Sequence, residues 1–163
     1  MHIKINKEYL SLGDYKVKCA IGKRGISNKK KEGDLTTPKG VYRIKGIFYR
    51  KDKVKKLKSI IKKKVIKKNM GWCDDPKSKD YNKLIKYPFK YNSEKLFRSD
   101  NIYDIVVVLD FNMNPTKKNK GSAIFIHVAK KNLSPTKGCV AIKKKELKKI
   151  VRLMSKKVKI IIS

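Results

Sequence analysis

Residues 103–109, YDIVVVL, form a nearly continuous β-branched run, and that run constrains the fold more than any other stretch of the chain. It predicts a central strand buried on both faces. Weaker strand signals surround it. Ile3 and Ile5 alternate within residues 2–6, and Val17, Cys19 and Ile21 share one face of residues 15–21. A loop over residues 22–40, rich in Gly, Lys and Asn, ends in Thr37, Pro38 and Gly40, turn residues that lead into a strand over 41–48. Further strands are expected over 123–128, 140–142 and 158–162. Only Leu147, Ile150, Val151 and Met154 recur at a clear helical spacing, which predicts an amphipathic helix over 144–154 lying on the sheet. There is no regular βαβ alternation and no internal repeat, so doubly wound and TIM-type folds are excluded. The expected architecture is mainly β, a β-sandwich or partly open barrel with one C-terminal amphipathic helix, in a single domain over 1–163.

Two segments read less simply. Residues 51–68 are almost all Lys, with Val54, Leu57, Ile60, Ile61 and Val65 between them at spacings that fit a short helix, and both helix and extended chain stay open. Residues 93–99, SEKLFRS, lie between Asn92 and Asp100 and are expected to form one or two helical turns with Leu96 and Phe97 inward.

The stretch that carries chemistry is GSAIFIHVAKKNLSPTKGCVAI, residues 121–142, a strand ending in His127, a loop, and a second apolar run opening on Cys139. A thiolate is the nucleophile of acyl transfer through a thioester, and a neighbouring imidazole can take the thiol's proton. A thiol of pKa ~8.5 is mostly protonated at neutral pH, and a paired imidazolium lowers it to roughly 3.5–7.5. Thr136 is expected to shape the loop or donate a hydrogen bond, and the backbone N–H groups of Gly138 and Cys139 to form an oxyanion hole. No acid lies within the motif to orient the imidazole, so a backbone carbonyl is expected there. The bland alternatives are a small residue opening a buried strand for Cys139 and a satisfied core residue for His127. GWCDDP, residues 71–76, has two readings: Trp72 and Asp75 line a substrate pocket near the thiol, or Asp75 caps a turn while Trp72 fills the core. One Cys with two Asp and no nearby His matches no usual zinc spacing, so no metal is expected.

Charge is the other strong signal, with 45 Lys and Arg against 13 Asp and Glu for a net charge of +32. Such a balance invites a nucleic-acid reading. Yet Arg is confined to positions 24, 43, 50, 98 and 152, whereas base and bidentate phosphate recognition favour Arg. The Lys residues are spread over every kind of segment, which points to a diffuse compositional bias and non-specific adhesion to polyanions. Three cysteines make no disulfide framework, and Cys19 reads as a small core residue. No apolar run reaches the length of a signal peptide or a membrane span, which taken alone says cytoplasmic.

The residues of the 121–142 stretch carry a family resemblance. A His ending a strand, followed by a loop and Thr136, Gly138 and Cys139, resembles the catalytic motif of the L,D-transpeptidases, the YkuD-like fold. The likeness extends to GISNKKKEGDLTTPKGVYRI at 25–44, GWCDDP, and SEKLFRSDNIYDIVVVL at 93–109. In that family a Thr-Pro-x-Gly element enters a strand of the catalytic sheet. Two departures stand out: Lys137 occupies a position that is often a second His, and eleven residues separate His127 from Cys139. The resemblance implies a barrel-like fold with a helix, Cys139 as nucleophile, His127 as base, and peptidoglycan stem peptides as partners. Cys139 would attack the carbonyl of the stem's third residue, D-Ala would leave, and a second stem's amine would form a cross-link. Water as acceptor would make the same site an L,D-carboxypeptidase. No cofactor and no specific nucleic acid are implied, and the periplasm or cell envelope is implied as the compartment. The rival reading is a basic nucleic-acid-binding protein with a structural Cys139, although no recognition-helix or zinc-finger pattern supports it.

Overall fold

The expected central strand is present, with all five residues of Ile105–Leu109 buried. The computed structural model describes residues 1–28 and 31–163, so Lys29 and Lys30 of the 22–40 loop lie outside the described residues. In chain order the strands are β1 (Ile3–Ile5), β2 (Tyr9–Leu12), β3 (Tyr15–Lys18), β4 (Ile26–Ser27), β5 (Thr37–Pro38), β6 (Gly40–Tyr49), β7 (Lys63–Val65), β8 (Met70–Cys73), β9 (Leu84–Lys86), β10 (Ser93–Lys95), β11 (Ile105–Leu109), β12 (Phe125–Val128), β13 (Val140–Ile142) and β14 (Lys159–Ile162), with α1 (Lys144–Leu153) between β13 and β14.

The main sheet runs β13, β12, β11, β6, β14, β1, β2, β3, with β7 beside β6. Its two ends meet. Ala20, just after β3, and Ala141 of β13 exchange two backbone hydrogen bonds of 2.8 Å each, so the sheet is a nearly closed barrel. That is the partly open barrel of the two architectures expected, and closure covers the edges that an open sheet would expose.

Alternation along β11 divides its side chains between two cores. Ile105, Val107 and Leu109 join Ile3, Ile47, Ile126 and Ile142 in the larger one, where α1 adds Leu147, Ile150 and Val151. Val106 and Val108 face the other way, into a second core with Met70, Trp72, Tyr103 and Phe125. The small sheet β10–β8–β9 supplies the far wall of that core. A fully buried side chain of this size contributes about 1.5–3 kcal/mol, so Trp72 and Leu96 fasten the small sheet to the barrel.

One segment differs from its sequence reading, and one left open there takes a definite form. Residues 93–99 are not helical turns: Ser93, Glu94 and Lys95 pair antiparallel with Cys73, Trp72 and Gly71, and this distant partner overrides the local capping signal. Residues 51–68 form turns and the short β7. Val54 and Leu57 are buried but Ile60 is 60% exposed, and a helix here would have stacked Lys on Lys one turn apart. Cys19 is a core residue, and burial pushes its thiol up to about 12.

Candidate active site

Parallel pairing of β12 with β13 sets the geometry of the site. His127 lies opposite Ala141, and Cys139 stands two residues before Ala141, so the period of two puts Cys139, His127 and Phe125 on one face of the sheet. That face looks into the second core, against which Cys139 packs. The thiol is half-buried at the mouth of the strands. Its Sγ donates to Ala123 O at 3.1 Å and accepts the Phe125 N–H at 3.4 Å.

His127 is buried, with Nδ1 2.9 Å from Val128 O. A carbonyl can only accept, so Nδ1 carries the proton and Nε2 keeps its lone pair. The expected backbone carbonyl therefore does orient the imidazole. Burial lowers the His127 pKa from 6.5 to about 4, partly offset by the Val128 bond. The ring is thus neutral at physiological pH, in contrast to the imidazolium anticipated from the sequence. Desolvation of the charged form outweighs every favourable contact the ring makes.

Tyr103 forms a wall of the site that sequence reading left as the start of a strand. Its ring stands edge-on to His127 and to Phe125, and its hydroxyl donates to Glu94 Oε1 at 2.6 Å. Burial, and then the nearby Cys139 and Glu94, push the phenol well above its ordinary value. Burial also pushes the Glu94 carboxyl up, against the hydrogen bond Tyr103 donates. Lys137 is close enough to act on both Glu94 and Asp74, lowering each carboxyl that burial raises.

The loop before Cys139 is tied by two threonines. Thr136 Oγ1 donates to Cys139 O at 2.6 Å and accepts the Gly138 N–H at 3.1 Å. The Gly138 N–H, expected in an oxyanion hole, is therefore held inside the loop. Gly138 has φ +145°, a backbone conformation that side chains disfavour, which is why glycine stands there. Thr37, fully buried, accepts the Gly22 N–H at 2.8 Å through Oγ1 and donates to Gly138 O at 2.8 Å. From the sequence Thr37 reads as a turn residue, and nothing local announces the contact.

The pair Trp72 and Asp75 divides. Trp72 is 5% exposed, edge-on to Phe125, with Nε1 donating to Asn82 Oδ1 at 3.0 Å, so it fills the core beneath the site. Asp75 is a turn residue: its oxygens accept the Lys77 and Asn92 N–H groups at 3.0 and 3.2 Å, which hold its carboxyl below the usual range. Its neighbour Asp74 is the one coupled to Lys137. Among the described residues no group of three His, Cys, Asp or Glu side chains could hold a metal ion, and no helix is long and apolar enough to cross a membrane.

Among solved structures, the chain is similar to a mutant of the helical cell shape determining protein Pgp2 from Campylobacter jejuni, at 21% identity and a TM-score of 0.43. That likeness covers 99% of this chain and 46% of the other, so the chain spans about half the length of that protein. Among curated proteins, none matches the sequence. The family model of the L,D-transpeptidase catalytic domain, YkuD, matches residues 5–162, and on that match over nearly its whole length the chain belongs to this family.

Proposed function

We propose that the chain is a cysteine acyl transferase acting on peptidoglycan stem peptides, with Cys139 as nucleophile and His127 as base. The observation that carries this reading is the His127 Nδ1–H to Val128 O bond of 2.9 Å, which leaves Nε2 as a proton acceptor on the face that bears the half-buried thiol. The Sγ proton passes from its bond with Ala123 O to Nε2 as sulfur attacks the carbonyl of the stem's third residue. The C–N bond to D-Ala breaks, the leaving amine takes the proton from Nε2, and a thioester remains on Cys139. A second stem's amine then attacks the thioester, its proton moves to Nε2 and on to the departing sulfur, and an amide cross-link forms. Water in place of that amine gives carboxypeptidase turnover. Burial favours the neutral ring, so His127 is poised to accept the thiol proton as sulfur attacks. With the Gly138 N–H engaged by Thr136, the oxyanion role falls to the Cys139 N–H, a donor of a kind worth ~2.7–4 kcal/mol. A substrate of this class places the enzyme's work in the cell envelope. The nucleic-acid reading gains nothing from the family match or from the hydrogen-bonded, half-buried thiol.

The test is intact-protein mass spectrometry after incubation with a tetrapeptide stem. Wild type should gain the stem's mass less D-Ala on Cys139, and Cys139→Ser should gain nothing. Wild-type protein that stays unacylated while folded sinks the reading.

A further inference from the structure

Each of the two peptide units flanking the Cys139 Cα has its carbonyl held by a threonine hydroxyl, and the two hydroxyls come from opposite ends of the chain. Thr136 Oγ1 holds Cys139 O at 2.6 Å from within the nucleophile loop. Thr37 Oγ1 holds Gly138 O at 2.8 Å across a sequence separation of 101 residues. A hydroxyl has one proton, and while the Thr37 oxygen accepts the Gly22 N–H at 2.8 Å its proton goes to the nearer of two carbonyls, Gly138 O at 2.8 Å against Cys139 O at 3.5 Å. The geometry around Gly22 leaves little freedom for any other arrangement. A Cβ at Gly22 would lie 2.5 Å from Leu35 O and 2.9 Å from Thr37 N, so only glycine lets the two segments close this tightly. Thr37 itself is fixed from behind, because its N–H donates to Gly25 O at 2.9 Å and its strand β5 pairs with β4.

A trans peptide is planar, and its C=O and N–H leave opposite edges of the plane. Holding Gly138 O toward Thr37 therefore turns the Cys139 N–H away from Thr37. Building on the acyl-transfer reading, we propose that Thr37 is a positioning residue for that reaction: its hydroxyl sets the Gly138–Cys139 peptide plane, and with it the direction of the Cys139 N–H that meets the oxyanion. Thr37 touches no substrate. It acts through one peptide unit, on a step that develops negative charge on a carbonyl oxygen, and it leaves the thiol's own chemistry alone.

The proposal separates two reactions of one sulfur. Alkylation by iodoacetamide forms no oxyanion and needs only the thiol and His127, whereas acylation by a stem peptide needs the N–H aimed. In Thr37→Val, which keeps the shape and removes the hydroxyl, single-turnover acylation should fall on the order of a hundredfold with KM little changed. The iodoacetamide rate at Cys139 should stay within about twofold of wild type. Thr37→Ser restores the hydroxyl and should restore acylation. If Thr37→Val does not fold, Thr37→Cys takes its place as a near-isosteric, weaker donor, and its acylation should fall below that of wild type while its alkylation does not. A merely structural Thr37 would lower stability but leave acylation per folded molecule unchanged. Acylation of folded Thr37→Val at the wild-type rate, or Thr37→Ser as slow as Thr37→Val, overturns the proposal. Wild type that alkylates but never acylates overturns the acyl-transfer reading instead, and the proposal with it.

Discussion

Tyr103 stands edge-on to His127, with ring centroids 5.4 Å apart and ring planes at 83°, while its hydroxyl donates to Glu94 at 2.6 Å. With Val128 O holding Nδ1, this wall fixes the plane of the imidazole and so the direction of Nε2. Edge-to-face pairs contribute about 0.5–1.5 kcal/mol beyond area burial. Tyr103→Leu should therefore slow acylation about tenfold through a loosened base, a loss of that same order of free energy. Tyr103→Phe keeps the wall and should acylate near the wild-type rate, but it leaves the Glu94 carboxyl without its donor at a stability cost of ~1–3 kcal/mol. Turnover and urea unfolding of both variants check the split. Equal acylation by the Leu and Phe variants would remove the ring from the account.

His127 also makes stability depend on pH. Folded protein keeps the ring neutral down to about pH 4, whereas the ordinary imidazole binds its proton near 6.5. As pH falls through 6.5 the unfolded chain takes up the proton first, so stability is lost progressively between about 6.5 and 4 and no further below. The full loss is on the order of 3 kcal/mol at 1.36 kcal/mol per unit. Glu94 acts in the opposite sense, because its raised carboxyl favours the protonated form in the fold and costs stability as pH rises. Urea midpoints of wild type and His127→Gln across this range isolate the histidine. A parallel decline in both would assign the effect to other groups.

How much of this was legible in the sequence follows from the range of each interaction. YDIVVVL is a continuous apolar run and the α1 spacing a period of 3.6, both local patterns, and both elements formed where those patterns put them. His127 and Cys139 could be singled out as a candidate pair because their residue types are few and their chemistry is specific, and the β12–β13 register puts them on one face. The supports could not be singled out. Thr37 reaches Gly138 across 101 residues, and Asn82 reaches Ala123 across 41, so no window of sequence contains either contact. Tyr103 meets His127 only because β11 pairs with β12 in a register that sets Val106 against His127. In GWCDDP the residue pattern left Asp75 open between a pocket wall and a turn cap, and only the fold shows it accepting the Lys77 and Asn92 N–H groups of a turn.

The charge of +32 stays a surface property. On the outer side of α1, Lys145, Lys148, Lys149 and Arg152 line a groove of about 560 Å³ with Lys56 and Lys58, and no site residue belongs to it. Adhesion to a DNA duplex should fall steeply with salt and ignore sequence. Lys148→Glu with Lys149→Glu should reduce the salt slope by about the charges removed and leave stem-peptide acylation unchanged. Sequence-selective binding that persists at physiological salt would contradict a diffuse charge.

Asn82 joins the core to Cys139 through Ala123. Its Oδ1 accepts Trp72 Nε1–H at 3.0 Å and the Ala123 N–H at 3.1 Å, while its Nδ2 donates to Phe111 O and Asn112 O at 3.0 Å each. Ala123 O in turn accepts the Cys139 thiol at 3.1 Å, so the amide sets the backbone on which the thiol rests. Asn82 has φ +59°, a conformation Asn tolerates better than most residues. Asn82→Asp preserves that tolerance and the shape, but it turns two donated hydrogen bonds into an anion facing two carbonyls inside the core. The variant should lose more than ~3 kcal/mol at neutral pH and recover part of it in acid, when the introduced carboxyl is protonated and can donate once. Trp72→Phe removes the indole N–H together with one ring of the buried bicycle and should cost about 1–3 kcal/mol, whereas Trp72→Ala should cost ~3–5 kcal/mol, as expected of a core residue. Iodoacetamide labelling of folded protein reports the second half of the argument. Asn82→Asp should change the Cys139 rate and Trp72→Phe should not, and an unchanged rate in both would disconnect the amide from the nucleophile.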